Sequence, residues 1–157
     1  MRLEQARAFL AALEREQVHC VLIGSMAMAA HGLVRATRDI DFFVAAHPEN
    51  VERLKRALRS VFDDDSIDEI DTGDLAGAYP VIQYGPPHGE FTIDFVARLG
   101  DAFVYDDIDA EVMVVDGIQV RVATPRMLYE MKRDTVRPQD RIDAERLRQR
   151  FGLEVER

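Results

Sequence analysis

Cysteine is almost missing from this sequence. Cys20 is the only one, so no disulfide can form within the chain. It sits in the apolar run Val18-His19-Cys20-Val21-Leu22-Ile23 and reads as a buried structural thiol in a reducing compartment. No apolar stretch approaches the ~20 residues of a membrane helix, so no membrane partner is expected. The first seventeen residues are charged and helix-periodic, unlike a secretory leader, and the expected location is cytoplasmic. Positive charge is also scarce, with 20 Lys and Arg against 29 Asp and Glu, a net charge of −9. That balance argues against coating long nucleic acids. A nucleotide or a structured RNA end stays compatible, because a local basic patch or bound metal reverses the field where it matters. Repeats, low-complexity tracts, zinc-ligand spacings and Ser/His/Asp or Cys/His arrangements are all absent.

What is present is globular: 157 residues, 47% hydrophobic and 31% charged, enough for one ordinary domain with a real core. Leu3, Ala6, Phe9, Leu10 and Leu13 share one face of a helix over 2–16. A buried strand follows at 18–23, then Gly24-Ser25, then a short helix over 26–32 ending at Gly32. Strand 39–44 leads to a helix over 48–62 with Pro48 in its first turn. The acidic stretch 63–74 reads as a solvated loop. A strand pair is expected at 79–84 and 90–96, joined by Gly85-Pro86-Pro87-His88-Gly89. A hairpin at 111–115 and 118–122 turns at Asp116-Gly117, a type I′ signal. Two helices close the chain, about 125–134 and 138–150, each opened by proline. The fold class is α+β (mixed α/β): a central mixed sheet flanked by helices. Residues 1–157 read as one domain, with a core over about 1–125 and a C-terminal helical segment over about 125–151.

The chemistry concentrates between Gly24 and Val44. A glycine at a strand end permits close backbone approach to a ligand. The N–H groups of a following helix carry partial positive charge suited to phosphate oxygens, and the Ser25 hydroxyl adds a donor. Asp39 and Asp41, two residues apart in a strand, project from the same face, while Phe42, Phe43 and Val44 follow directly. Carboxylates at the mouth of so apolar a strand need a positive partner. Mg²⁺ suits them, since it takes one or two protein carboxylates together with phosphate oxygens; Mn²⁺ is the substitute ion. The competing reading is a strand with one solvated polar face. Asp94, within Phe91-Thr92-Ile93-Asp94-Phe95-Val96, is either a third metal ligand or an edge-strand acid facing water. Three carboxylates on adjacent strands can hold two metals ~3.5–4 Å apart for in-line phosphoryl displacement.

Gly24-Ser25, then Asp39-Ile40-Asp41 preceded by Thr37-Arg38, then Asp94 in a later strand, together resemble the polymerase-β-like nucleotidyltransferase superfamily. The version here is most similar to its minimal bacterial toxin-type group, the abortive-infection toxin relatives. The resemblance covers about residues 1–125 and extends into the last helices; the large C-terminal domain of many relatives is not expected. It implies that Gly24 and Ser25 hold the β- and γ-phosphates of a nucleoside triphosphate. It further implies that Asp39 and Asp41 bind the metals, and that Asp94 binds one of them and helps deprotonate the acceptor. Lys132 matches a late-helix lysine of the group, a point charge for triphosphate; a plain charged helix face is the other reading. The acid that follows in the group is Asp140 or Asp143 here, with Asp143 favoured. Arg35 and Arg38 lie between the phosphate turn and the acids, each able to reach a phosphate or form an ordinary salt bridge; Arg38 is counted with the nucleotide-binding residues. His31 reads as a structural histidine.

The function that follows is transfer of a nucleoside monophosphate from a triphosphate to a hydroxyl on an RNA end such as tRNA, a protein or a small molecule. The role implied is the toxin of a toxin–antitoxin pair, with an antitoxin protein as partner. The alternatives are a non-catalytic nucleotide-binding or protein-interaction module of the same fold, and an antibiotic-modifying nucleotidyltransferase.

Overall fold

The computed structural model describes residues 3–77, 80–87, 89 and 91–154, without the Leu3 side chain. Residue 2 of the first expected helix, the Leu3 side chain, residue 79, His88 and residue 90 therefore lie outside the described residues.

Helix α1 (Leu3–Arg15) leads into β1 (Cys20–Ile23), α2 (Gly24–Ala30), β2 (Asp39–Val44) and α3 (Pro48–Val61). Then come β3 (Val81–Tyr84), β4 (Thr92–Val96), the two-residue strands β5 (Arg98–Leu99) and β6 (Phe103–Val104), and the hairpin β7 (Ala110–Val115) and β8 (Ile118–Ala123). Helices α4 (Pro125–Lys132) and α5 (Pro138–Phe151) follow. The main sheet runs β3-β4-β2-β1-β8-β7. It is mixed: β1 pairs parallel with β8 and β2 with β4, while β1–β2, β3–β4 and β7–β8 are antiparallel.

Strand alternation sorts the two faces. Ile40 and Phe42 point one way, Asp39, Asp41 and Phe43 the other. On the first face Phe9 of α1 meets Phe42 edge-on at 5.9 Å and Phe95 at 6.2 Å, and Phe62, just past α3, leans on Tyr84 at 5.6 Å. All three stacked phenylalanines are at most 1% exposed, and each such burial contributes roughly 3 kcal/mol before entropic losses. Helix α2 lies against β2 and touches α4, which pairs with α5, so the acid-bearing face is bordered by these three helices.

Local chemistry explains the boundaries. Helix α2 starts directly off β1, two residues before its expected start, because Gly24 (φ +69°) makes the turn by itself. It ends in a Schellman pair, Gly32 N–H to Ala29 carbonyl and Leu33 N–H to Met28 carbonyl. Asp116 (φ +50°) and Gly117 (φ +80°) form the expected I′ turn. The acidic stretch is more ordered than a solvated loop. Asp64 caps a 3-10 turn over Asp65–Glu69, Asp71 caps another over Thr72–Leu75, and Ile67 and Leu75 are buried beneath them. Cys20 is half-buried rather than enclosed, and its desolvated thiol is pushed up to about 12. His31 is structural, bonded through Nε2 to the Ala123 carbonyl at 2.8 Å and edge-on to Phe151.

Candidate active site

Strand register assembles the acids. β2 and β4 run parallel with Asp41 opposite Asp94 and Asp39 opposite Thr92. On the other side of β2, Asp41 lies opposite Ile23, the residue before Gly24. Asp39, Asp41, Asp94 and the Gly24 turn thus occupy one end of the sheet on one face. The fit at Gly24 is tight. A Cβ there would lie 3.2 Å from Asp41 Cγ and closer still to its Oδ2. Only glycine lets the turn close against that carboxylate.

The electrostatics follow from this crowding. Burial first, then the Asp94 charge, a shared hydrogen bond with Asp94, and the Asp39 charge push Asp41 up to about 7, opposed by Lys132. Asp94 is also raised, chiefly by burial. Asp39 is held by Thr92, whose hydroxyl donates to its Oδ1. Oδ1 of Asp94 is buried and has no hydrogen-bond partner among the described residues.

Those features are what a hard cation would satisfy: an orphaned carboxylate oxygen, an excess of negative charge, and oxygen donors only. Among the described residues, no three His, Cys, Asp or Glu side chains stand in a preformed cage. The acids form an open row instead, which suits Mg²⁺ with its retained waters and phosphate ligands.

Ser25 is buried at 4% exposure and its hydroxyl has no hydrogen bond among the described residues. No side chain caps the first turn of α2. Arg38 is exposed and its guanidinium has no partner among the described residues, while its carbonyl accepts from Thr92 N.

Lys132 and Asp143 belong to a second cluster beside the row. Asp143 is fully buried and receives Lys132 Nζ at 2.9 Å, Arg35 Nε and Nη2 at 3.1 and 3.0 Å, and Gln139 Nε2 at 3.0 Å. Burial opposes ionisation, but the Lys132, Arg35 and Gln139 hydrogen bonds prevail and hold its carboxyl below the usual range. Asp140 accepts from Lys132 at 3.3 Å and from Thr135 at 2.8 Å. Arg35 therefore ties the loop before β2 to α5, 108 residues away. Asp143 faces these cations rather than open space.

Sequence reasoning missed Thr92 and Gln83. Thr92 was findable, since two residues before Asp94 is the same face of the strand. Gln83, opposite Asp94 on β3, carries no motif.

Sheet, turn and acid placement together define the nucleotidyltransferase fold. A crystal structure from Thermotoga maritima, described as a candidate nucleotidyltransferase, superposes with a TM-score of 0.54 at 19% identity, covering 96% of this chain and 92% of that one. No curated protein matches the sequence closely. The chain belongs to the family described as "Nucleotidyl transferase AbiEii toxin, Type IV TA system", which matches residues 8–151. The expected kinship with the toxin-type members of the polymerase-β-like superfamily therefore holds. No helix among the described residues is long and apolar enough to cross a membrane.

The Gly24 contact yields a direct expectation. Gly24→Ala places a side chain at a left-handed φ, costing about 1–2 kcal/mol, and drives the Asp41 carboxylate aside. Displacement of a reacting group by about 1 Å can lower a rate about 10²-fold, so the transfer rate of Gly24→Ala should fall by that order. Steady-state rates alongside thermal unfolding check it; wild-type activity in the variant would contradict the close-approach role.

Proposed function

We propose that the chain moves a nucleoside monophosphate from a nucleoside triphosphate to a hydroxyl acceptor with Mg²⁺, and that it acts as the toxin of a toxin–antitoxin pair countered by an antitoxin protein. The observation that carries this is the Asp41–Asp94 register pair, closed against Gly24, with Asp94 Oδ1 buried and without a partner among the described residues. Asp39, Asp41 and Asp94 would hold the metal, whose charge would stabilise the attacking and leaving oxygens. Gly24, Ser25 and the uncapped first turn of α2 would receive the triphosphate, with Arg38 and Lys132 as cationic contacts. Asp94 would accept the acceptor hydroxyl's proton. Asp143 would act by holding Lys132 and Arg35 in place. Phosphoryl transfer asks the protein mainly for positioning and charge neutralisation, and these residues supply both. The whole chain is read as one domain working in the cytoplasm.

Charge distribution supports an RNA end as acceptor. Residues 121–150 hold nine Arg and Lys against five Asp and Glu, in a chain of net charge −9. Arg137 and Arg141, exposed at the start of α5 beside Asp140 and Asp143, have no side-chain partner among the described residues. Two exposed arginines at the helix end that carries the Lys132–Asp143 cluster suit a phosphate backbone approaching the site.

The test is pyrophosphate release from each nucleoside triphosphate with Mg²⁺, with and without total cellular RNA, for wild type and Asp94→Asn. RNA-stimulated, Mg²⁺-dependent release that is lost in the variant supports the reading. Triphosphate binding without release under any condition would favour the non-catalytic module. Release only with a hydroxylated small molecule would favour the antibiotic-modifying version.

A further inference from the structure

We propose that Gln83 is a positioning residue for Asp94, orienting that carboxylate so that its free oxygen faces the divalent cation; this rests on the metal-dependent reading above. Four observations carry it. Gln83 is the antiparallel register partner of Asp94, so the two side chains share a face at cross-strand contact distance. Together they extend the row Gln83–Asp94–Asp41 across β3, β4 and β2. The Gln83 amide is the neutral hydrogen-bond donor facing Asp94 from β3, and its influence on that carboxyl is to lower it, against the larger effect of burial. Oδ1 of Asp94 is nevertheless buried with no hydrogen-bond partner among the described residues. Gln83 is exposed on the edge strand and so serves no core packing that would explain it.

The residue type suits the task. On its other side Asp94 lies opposite Asp41, a second acid. A neutral amide adds a donor without adding charge. A lysine here would put a positive charge where a cation must bind, and an acid would add to the repulsion. The same device recurs one step along the strand, where neutral Thr92 donates to its own register partner, Asp39. Both outlying acids of the row thus have an uncharged hydrogen-bonding side chain as register partner on the neighbouring strand. Removal of such outer partners typically lowers metal affinity 10–100-fold.

The test is titration of the metal-free protein with Mn²⁺, followed by electron paramagnetic resonance, for wild type, Gln83→Met, Gln83→Ala, Val81→Ala and Asp94→Asn. Val81 lies two residues from Gln83 on the same strand and is 47% exposed, so it controls for disturbance of the edge. The expected result is a loss of about tenfold in Mn²⁺ affinity in both Gln83 variants, an unchanged unfolding temperature, and wild-type binding in Val81→Ala. Wild-type affinity in the Gln83 variants, or an equal loss in Val81→Ala, overturns the inference and leaves the metal site standing. Absence of Mn²⁺ binding by wild type overturns the metal site itself, and the role of Gln83 with it.

Discussion

Asp41→Asn should lose nearly all nucleotidyl transfer while unfolding at a higher temperature than wild type in metal-free buffer at pH 8. The two effects have one origin. Asp41 is desolvated and faces Asp94 and Asp39, which raises its carboxyl to about 7. A carboxylate tolerated under such repulsion has a purpose that outweighs stability, and the purpose proposed is charge stabilisation by a bound metal. Losing several kcal/mol of that stabilisation corresponds to a rate loss of about 10²–10³-fold. The stability gain follows from linkage. The folded protein binds the Asp41 proton more tightly than the unfolded chain does, so stability present below the ordinary Asp pKa is lost as pH rises from about 4 to about 7. Wild type should therefore become less stable than Asp41→Asn across that window, by about 1–2 kcal/mol above it once solvent screening is allowed for. That difference is a few degrees for a chain of this size. Thermal unfolding from pH 5 to pH 8, with and without Mg²⁺, checks both signs: the gap should open with pH and narrow when Mg²⁺ binds wild type. A variant less stable than wild type at pH 8 without metal would contradict the account.

Asp143→Ala should be the most destabilising single change around the site. It leaves Lys132 and Arg35 without the buried carboxylate that receives both, and breaking a buried ion cluster by removing one member costs about 3–5 kcal/mol. A drop of roughly 10 °C is expected at 2–4 °C per kcal/mol. The pH signature is opposite to that of Asp41. Because the Asp143 carboxyl is held low, its contribution is present above the ordinary Asp pKa and disappears as pH falls through the lowered value. Acid unfolding of wild type should thus converge on the variant's stability only at the acid extreme. Asp143→Asn, which keeps an acceptor for one cation, should lose less. Equal stability of wild type and Asp143→Ala at pH 7 would mean the cluster stabilises nothing.

The parts of this architecture that announce themselves are local ones. Strand 39–44 was expected and found at the same residues, because a strand places Asp39 and Asp41 on one face with Phe42 and Val44 behind. The hairpin was found one residue wider on its outer ends, because Asp116-Gly117 specifies its own turn. Helix α3 was bounded correctly to within a residue by Pro48. Strands β5 and β6, two residues each, are too short to show a period. The turns in 65–75 depend on side-chain caps from Asp64 and Asp71 that composition disguises as a charged loop. The family resemblance pointed to Lys132 and Asp143. The lock joining Arg35 to Asp143 spans 108 residues, and no local pattern encodes such a separation. Gln83 was illegible for the same reason, since its place beside Asp94 exists only once β3 and β4 pair.

The Arg35–Asp143 tie also bears on the order in which the site is assembled. The Gly24 turn and the three acids precede α5 in the chain, but the fixed cations depend on that helix. While the ribosome still holds that helix, Lys132 and Arg35 have no buried anchor, and domains generally complete folding only as whole units. Until α5 docks, the acids and the Gly24 turn stand without the fixed cations beside them. Docking of that helix is thus the step that completes the cluster.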